Sequence, residues 1–360
     1  MPISSLIGPI LATLVGAIVM LAATSAVAKG IRDRRTSLRR ARSRALRPTV
    51  IALAGGGAAP DETAAIGRRD ARALEEAIID ILPLLRGDDR AGLVRVLDDR
   101  GAIDAARKAT ASRWSLRRAR GAEILGMCGA RRALPELRRL LRDRNREVRI
   151  VAARALGKLG GPGAVPSLLA SLERPRSVPI SIVTMAMVHV GPSGVDEMRE
   201  GLRAPSARAR QAAAEILGQF GASTAVGELI DALRDPDRLV RARSASALGR
   251  IGSPRAVGPL VALLAEDAAP EIRGAAITAL GEIGSPHAVA TVATAIDAQE
   301  SDISWRAAMA LAQMGAPGEQ VLRHRADGTD RAGGHAREAL AGVEARPAPR
   351  SESRVAAASR

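Results

Sequence analysis

Apolar and small residues recur along the chain at intervals of about 31 residues, and a glycine marks each interval. An apolar residue stands four positions before each of these glycines, and a small residue stands three positions before it in six of the seven repeats. This spacing places both residues on one face of a helix that ends at the glycine, where a left-handed backbone favours a residue without a β-carbon. The anchor glycines are Gly129, Gly160, Gly191, Gly221, Gly252, Gly284 and Gly315.

A second apolar stripe follows the anchor glycines, at eight and twelve positions in most repeats. In the 30-residue repeat between Gly191 and Gly221 the stripe comes one residue early. Two helices per repeat predict helical hairpins, which bury a continuous core only when they are stacked. The sequence therefore predicts an all-α fold, an α-solenoid over residues 62–341. Residues 62–110 are its expected N-terminal cap, and residues 342–360 are an expected disordered tail.

The helix that ends at each anchor carries the motif Ala-Ala-x-x-Leu-Gly-x-Leu/Ile-Gly, seen at Ala152–Gly160 and in closely similar form at Ala276–Gly284. An Asp-x-x-x-x-Val/Ile-Arg stretch precedes it, as in Asp143–Arg149. Over roughly residues 88–340 these motifs resemble HEAT-like repeats, in particular the short bacterial kind first named from phycobilisome lyases. The resemblance implies a solenoid of HEAT-like hairpins, and such repeats serve lyases, adaptors and scaffolds alike.

The N-terminal segment has a different pattern. Residues 1–28 carry no charged side chain, and residues 3–28 are mostly apolar. Because roughly 20 apolar residues cross a bilayer as a helix, residues 1–28 are predicted to form one transmembrane helix. The alternative is a cleaved signal peptide that ends at Ala26, Val27 and Ala28. Against it, no basic segment precedes the apolar run, and the run is long for a signal peptide.

A basic block follows the apolar run. Residues 29–47 hold nine cations and one anion, about half of the net charge of +16. Such a block stays on the cytoplasmic side, so we predict a single-pass protein of the inner (cell) membrane with its N-terminus outside and its repeats in the cytoplasm. Residues 29–61 are interpreted as a basic juxtamembrane segment and linker that attracts anionic lipid. The predicted membrane-surface residues are Lys29, Arg32, Arg34, Arg35, Arg39 and Arg40.

Arginine recurs eleven residues before five of the anchor glycines, as Arg118, Arg149, Arg210, Arg241 and Arg273. Asp143, Asp235 and Asp267 each stand six residues before one of these arginines. One interpretation is structural: the aspartates cap helices and bind the arginines of their own or the neighbouring repeat, which forms a ladder. The other interpretation is a cationic stripe that binds an acidic partner.

Three apolar residues are further candidates for partner binding. Trp114 stands directly before a helix and is either an exposed anchor for a partner or part of end-cap packing. Met185 and Met187 lie in the repeat that departs most from the pattern, with Pro175 and Pro179 near its start. Either that repeat is kinked, or the two methionines line an adaptable groove for a partner helix. In other repeats, the position equivalent to Trp114 is held by Asn145, Ser206 and Asp237.

The sequence offers no constellation for catalysis. Cys128 occupies a slot that is apolar in the other repeats, which is typical of a core residue. None of the four histidines has a carboxylate or cysteine partner at metal-ligand spacing, and the paired His-Glu steps of HEAT-type hydroxylases do not occur. We therefore predict no catalytic residue, no cofactor and no metal site.

The combined features predict a membrane-anchored, cytoplasmic-facing HEAT-repeat scaffold or adaptor for a protein partner, and not an enzyme. One alternative is a basic solenoid that binds nucleic acid, based on eight arginines within residues 131–149, but the chain has only three aromatic residues for stacking on bases. The other is a phycobilin-lyase-like enzyme, which the same shortage disfavours. The sequence leaves the partner and the oligomeric state open, although Ala12 and Gly16 could pack two anchors together.

Overall fold

The computed structural model describes residues 20–21, 41, 45–54, 68–173 and 177–345, and all regular secondary structure in these ranges is α-helix or short 3₁₀ turn. Most of the predicted transmembrane helix, the membrane-surface cations from Lys29 to Arg40 and the end of the tail lie outside the described residues. Among the residues described, no helix is both long enough and apolar enough to cross a membrane.

The chain divides into two compact units, residues 1–111 and residues 112–360. The first unit contains the helices α1 (Arg47–Ala54), α2 (Arg68–Ile81), α3 (Gly87–Asp99) and α4 (Ala102–Ala109). Leu74, Ile78, Leu93 and Leu97 form its core, and none of them exposes measurable surface. Helix α1 packs against α2 and α3 through the fully buried Val50. The predicted linker over residues 29–61 therefore includes a helix that belongs to the folded unit.

The second unit is a stack of helical hairpins with two layers. In chain order its helices are α5 (Ser115–Cys128), α6 (Leu134–Leu140), α7 (Arg146–Leu159), α8 (Val165–Ala170), α9 (Ile180–Val190), α10 (Val195–Gly201), α11 (Ala207–Gln219), α12 (Val226–Asp231), α13 (Arg238–Ile251), α14 (Val257–Glu266), α15 (Pro270–Ile283), α16 (Val289–Thr294), α17 (Ser301–Gln313), α18 (Ala316–Ala326) and α19 (Arg331–Glu344). The odd-numbered helices from α5 to α17 end at or just before the seven anchor glycines, the even-numbered helices follow them, and α19 comes after the last hairpin.

The ends of these helices follow from the sequence pattern. All seven anchor glycines have positive φ, between 61° and 80°, as expected where an odd helix turns into the next segment. Five of the seven even helices from α6 to α18 are only 6 or 7 residues long, and a 3₁₀ turn, often with proline, precedes each of the five, as at Pro162–Ala164. Helix α19 ends at Glu344, so the folded region extends slightly past the predicted boundary at residue 341.

The odd helices approach one another unusually closely. A β-carbon built on Gly218 of α11 would lie 2.5 Å from the Cα of Ala247 in α13, and one built on Gly126 of α5 would lie 2.6 Å from the Cα of Ala155 in α7. In the even helices, a β-carbon on Gly227 or Gly258 would meet no atom within 4 Å, and one on Gly201 would meet side chains, nearest the Cδ1 of Leu169. Backbone contact between helices of the same layer is thus seen at the glycines of the odd helices, and we call the odd helices from α5 to α17 the tight layer. The same crossing recurs at Gly157, Gly249 and Gly281.

One junction of the tight layer departs from this crossing. At the junction of α9 and α11, Val188 stands at the position of the close-contact glycine, and Ile216 stands at the position of the alanine that faces it in the other junctions. Two larger side chains at this position prevent the close approach that a glycine and an alanine allow, and Val188 is correspondingly exposed. The repeat that the sequence marks as irregular is therefore the place where the tight layer is packed differently.

Candidate protein-binding face

The recurring arginines form internal ion pairs between neighbouring repeats. Arg118 on α5 makes a bidentate pair with Asp143, with Nε 2.7 Å from Oδ2 and Nη2 2.8 Å from Oδ1. Arg210 on α11 pairs with Asp235 in the same way, at 2.6 and 2.9 Å. Arg241 on α13 donates from Nε to Oδ2 of Asp267 at 2.8 Å. Each pair joins one repeat to the loop that starts the next helix of the tight layer.

Each aspartate also organises its own loop. The Asp143 carboxylate accepts the backbone N–H of Asn145 at 2.8 Å, and Asp235 accepts that of Asp237 at 2.8 Å. Asn145 and Asp237 are the actual N-caps, since each accepts two N–H groups of the first helical turn. The aspartates of the ladder therefore stand two residues before the caps instead of capping the helices themselves, as the structural interpretation had it.

The ion pairs shift the acidity of these carboxyls. Burial alone would raise the pKa of Asp143, but the hydrogen bonds from Arg118 and from the backbone N–H of Asn145 outweigh it and hold the pKa below its ordinary value. The same balance lowers the pKa of Asp235, with Arg210 as the donor. The carboxylates therefore stay charged in the folded protein.

Two further arginines of the series lack a complete partner of this kind. Arg149 is 6% exposed, donates from Nη1 to the carbonyls of Asp143 and Arg144, and leaves its buried Nε without a hydrogen bond. The Nη1 atom of Arg273 lies 3.8 Å from Oε1 of Glu300. Because Arg118 and Arg149 are buried, the series does not form a continuous exposed cationic stripe. The hydrogen bonds support the structural interpretation of the arginine series.

At Ser304 the arginine of the series is replaced by a buried hydroxyl. Its Oγ donates to the carbonyl of Ile296 at 2.6 Å and lies 2.9 Å from Nδ1 of His335 on α19. The single hydroxyl proton is thus taken by a backbone carbonyl, so the imidazole acts as donor to Oγ. This Ser–His contact fastens the last helix to the stack and does not present a nucleophile.

The predicted apolar contacts separate into exposed and buried residues. Trp114 is 55% exposed, and the guanidinium of Arg113 lies 4.9 Å from its ring centroid. Met185 is 52% exposed on α9, whereas Met187 exposes no surface and belongs to the core. Residues two positions apart point to opposite sides of a helix. The prediction that both methionines line one groove is therefore wrong, because Met187 is a core residue.

The exposed side of the tight layer carries a groove that was not predicted from the sequence. Its volume is about 450 Å³, and three parallel stripes on α13, α15 and α17 line it. The floor is made of small residues of α15. The lining includes Ala242, Ser246, Gly274, Ala275, Thr278 and Arg306. Helical spacing places two exposed apolar residues, Leu239 and Trp305, on the same faces as the two walls.

The polar groups nearest the floor of this groove, those of Arg306 and Thr278, are already bonded within the protein. Arg306 reaches from α17 across α15, with Nε 2.7 Å from Asp302 and Nη1 3.5 Å from the hydroxyl of Thr278. It lies directly over Gly274, where a β-carbon would come within 3.1 Å of its Cδ. The Thr278 hydroxyl donates to the carbonyl of Gly274 at 2.9 Å. A partner could therefore bury the groove without stranding these polar groups.

Comparison with known families identifies the repeats. Residues 100–187, 195–277 and 259–341 match the family of HEAT repeats, and these segments cover well over half of the chain. The chain belongs to the HEAT-repeat family. The predicted solenoid of HEAT-like hairpins is thereby confirmed, and the anchor glycines follow the helices α5, α7, α9, α11, α13, α15 and α17 of its repeats.

Several solved structures are similar to this chain. A mutant of Kap121p matches with a TM-score of 0.54 and 12% identity, over 77% of this chain and 36% of the Kap121p chain. Human deoxyhypusine hydroxylase in complex with glycerol is 25% identical over 66% of this chain and 95% of its own, with a TM-score of 0.31. The CpcE–CpcF phycocyanin lyase of Nostoc sp. PCC7120 is 24% identical over 74% and 94%, with a TM-score of 0.26.

The likeness to Kap121p supports the helical-repeat fold alone. No curated protein matches the chain. Among the described residues, no group of three or more His, Cys, Asp and Glu side chains could hold a metal ion. The sequence signal that was overlooked is the pair Leu239 and Trp305. Each stands at a repeat position where most of the other repeats hold a charged, polar or small residue.

Proposed function

We propose that the HEAT repeats form a scaffold that binds a protein partner in the groove over α13, α15 and α17. The observation that carries this proposal is a groove whose floor is made of small residues of α15, with the exposed Leu239 and Trp305 on the same helix faces as its two walls. An exposed tryptophan is the residue type that most often contributes a large share of the binding energy in protein interfaces. The role we propose is therefore binding and not catalysis.

The position of the groove in the tight layer supports this assignment. HEAT solenoids use the inner surface of the stack for extended binding sites. The helices of the tight layer touch one another through backbone atoms, as at Gly218 and Ala247. We therefore place the proposed partner-binding surface on this closely packed layer. The mixed rim, with Arg243, Glu271, Asp302 and Arg306, suits a polar border around an apolar contact.

The first test captures the partner with matched variants. Full-length protein is purified from gently solubilised membranes as wild type, as Ala275→Arg in the groove floor and as Ala265→Arg on the exposed end of α14. We expect one stoichiometric protein with the wild type and with Ala265→Arg, and at least tenfold less with Ala275→Arg, because a guanidinium fills the floor. Quantitative mass spectrometry of the captured protein provides the measurement.

A second variant guards against misfolding of the first. Trp305 is 40% exposed, so Trp305→Ala should leave the melting temperature nearly unchanged while it lowers capture. A photocrosslinking amino acid in place of Trp305 should form its adduct with the captured protein. Equal capture by wild type, Ala275→Arg and Trp305→Ala would show that the groove is not the interface.

We further propose that residues 1–28 anchor this scaffold in the inner membrane, with the repeats in the cytoplasm. The support is the uncharged apolar run and the nine cations that follow it. The cations from Lys29 to Arg40 would then lie at the surface of the anionic leaflet.

The anchor is tested by extraction and by protease access. Full-length protein should stay in the membrane pellet at alkaline pH, and a variant that starts at Lys29 should move to the soluble fraction. A tag on the C-terminus should resist protease in intact spheroplasts and be digested after lysis. Release of the full-length protein by alkali, or digestion of the tag in intact cells, would contradict the proposed topology.

A further inference from the structure

Two exposed apolar side chains stand at the start of α5. Trp114, the residue before the helix, is 55% exposed, and Leu116 in its first turn is 81% exposed. Four of the six positions equivalent to Leu116 in the other repeats hold a charged residue, among them Glu147, Glu271 and Asp302. The repeat framework therefore does not require an apolar side chain at this position.

Exposed arginines flank this apolar pair. The guanidinium of Arg113 lies over the ring of Trp114, with its carbon 4.9 Å from the ring centroid. Arg117 is exposed next to Leu116 and makes no ion pair within the described part of the chain. From residue 105 to residue 122 the sequence has six cations and no carboxylate side chain. The start of α5 thus combines apolar and cationic side chains.

The buried Arg118 brings a second loop to this surface. Its Nη1 atom donates to the carbonyls of Ser112 and Arg113 at 2.9 and 3.1 Å, and its Nε atom donates to Asp143 at 2.7 Å. The loop that precedes α7 therefore lies beside the start of α5. Arg144 of this loop is exposed and adds a third cation to the surface.

Neighbouring carboxylates do not cancel this charge. Oε2 of Glu123 accepts from Nη1 of Arg120 at 2.9 Å, and Oε1 of Glu147 lies 3.7 Å from Nη1 of Arg146. The ladder aspartate of the loop is held by its own arginine. Each nearby carboxylate is thus balanced by another arginine, and the surface keeps a net positive charge.

We propose that five residues at the starts of α5 and α7, together the basic-apolar surface, dock on an anionic lipid bilayer. They are Arg113, Trp114, Leu116, Arg117 and Arg144. The indole and the leucine side chain can enter the headgroup region while the guanidinium groups contact lipid phosphates. This contact is separate from the proposed membrane anchor, which would only bring the surface close to lipid.

A bilayer fits this surface better than a soluble anion or a protein partner does. A soluble anion would use the arginines and leave Trp114 and Leu116 in water. A protein partner would need an apolar cleft rimmed by carboxylates, whereas an anionic leaflet offers both chemistries over its whole area. The start of α17, with Glu300 and Asp302, would be repelled by the same leaflet. Only one end of the tight layer therefore suits an anionic bilayer.

The two tryptophans of the chain make the test direct, because Trp305→Phe leaves Trp114 as the only tryptophan and Trp114→Phe leaves Trp305. Both full-length variants are reconstituted in nanodiscs whose phosphatidylglycerol carries bromine on its acyl chains, which quenches tryptophan fluorescence on contact. We expect the fluorescence of Trp114 to fall at least about twofold relative to unbrominated discs, because its indole lies at lipid level. The fluorescence of Trp305 should not change.

The role of the arginines is tested in the variant that keeps Trp114 alone. Arg113→Gln/Arg117→Gln should remove most of the quenching, because two cations no longer attract the lipid. Arg234→Gln/Arg255→Gln, which removes two exposed arginines of later repeats, should leave the quenching unchanged. Discs of brominated phosphatidylcholine, which carries no net charge, should show little quenching. Equal quenching in charged and neutral discs, or quenching no stronger than that of the other tryptophan, would overturn the proposal.

Two further arms separate a protein partner and the anchor. A photocrosslinking amino acid in place of Leu116 should form an adduct with lipid in cells, and an adduct with a single protein would overturn the proposal. If alkali releases the full-length protein, the same quenching is measured after the protein is added to preformed brominated vesicles. Failure of the anchor and failure of the docking are therefore distinct results.

Discussion

Replacement of Gly218 by alanine is expected to destabilise the second unit by about 2 to 3 kcal/mol. The new β-carbon would lie 2.5 Å from the Cα of Ala247 and 2.7 Å from its Cβ. Backbone atoms cannot rotate away, so α11 and α13 must separate and lose packing along their whole contact. Alanine is the better helix former by about 1 kcal/mol, and the expected loss is net of this gain. Urea unfolding followed by circular dichroism measures it.

The matched control is the same change in a helix with free space. A β-carbon on Gly334 of α19 would meet no atom within 4 Å. Gly334→Ala should therefore leave stability unchanged or raise it by up to about 1 kcal/mol. If both variants have the same unfolding midpoint, the close crossing of the tight layer does not limit stability. If Gly334→Ala is the more destabilising change, the assignment of the tight layer is wrong.

The tight layer was largely predictable from the sequence, since each glycine three residues before an anchor recurs with an alanine on the next odd helix. Gly218 and Ala247 satisfy this rule, and both expose no surface or almost none. Small residues at a fixed spacing signal close helix contact because only they permit it. The ladder was predictable for the same reason, as its arginine and aspartate recur with the repeat.

The groove could not be predicted in this way. Its shape depends on the distance between three helices and on the path of Arg306 over Gly274, and neither is written in the periodicity of a single helix. Met187 shows the opposite case, because helical geometry alone already places it away from Met185. Helix α1 was missed since eight residues give too short a pattern, and the burial of Val50 depends on contacts with α2 and α3.

The ladder leads to a second large effect, at Asp235. Asp235→Asn is expected to destabilise the protein by about 3 kcal/mol at pH 7. The neutral amide cannot accept two charge-assisted bonds from Arg210, which then stays charged and poorly solvated between repeats; its side chain is 14% exposed. The backbone N–H of Asp237 also keeps a weaker acceptor. Thermal and urea unfolding of the full-length protein measure the loss.

The pH dependence follows from the lowered pKa of Asp235. Burial raises this pKa, but the bond from Arg210 leads the opposing contributions, and the net direction is downward. A carboxyl with a lower pKa in the folded state contributes stability that is fully present above the unfolded value of about 3.9. This contribution is lost as the pH falls through the folded value. The difference between wild type and Asp235→Asn should therefore be constant from pH 7 to about 5 and shrink below about 4.

Two comparisons show whether the effect belongs to the pair. Asp231→Asn, at an exposed residue of α12, should change stability by less than about 0.5 kcal/mol at any of these pH values. The double variant Arg210→Met/Asp235→Leu should be less destabilised than Asp235→Asn, because it removes both charges and leaves none unpaired. If the double variant is instead the less stable, the two residues contribute mainly through their separate backbone bonds: Arg210 donates to the carbonyls of Ala204 and Pro205, and Asp235 accepts the N–H of Asp237. The two side chains would then stabilise the protein by ordering the loops before α11 and α13, and not as an ion pair.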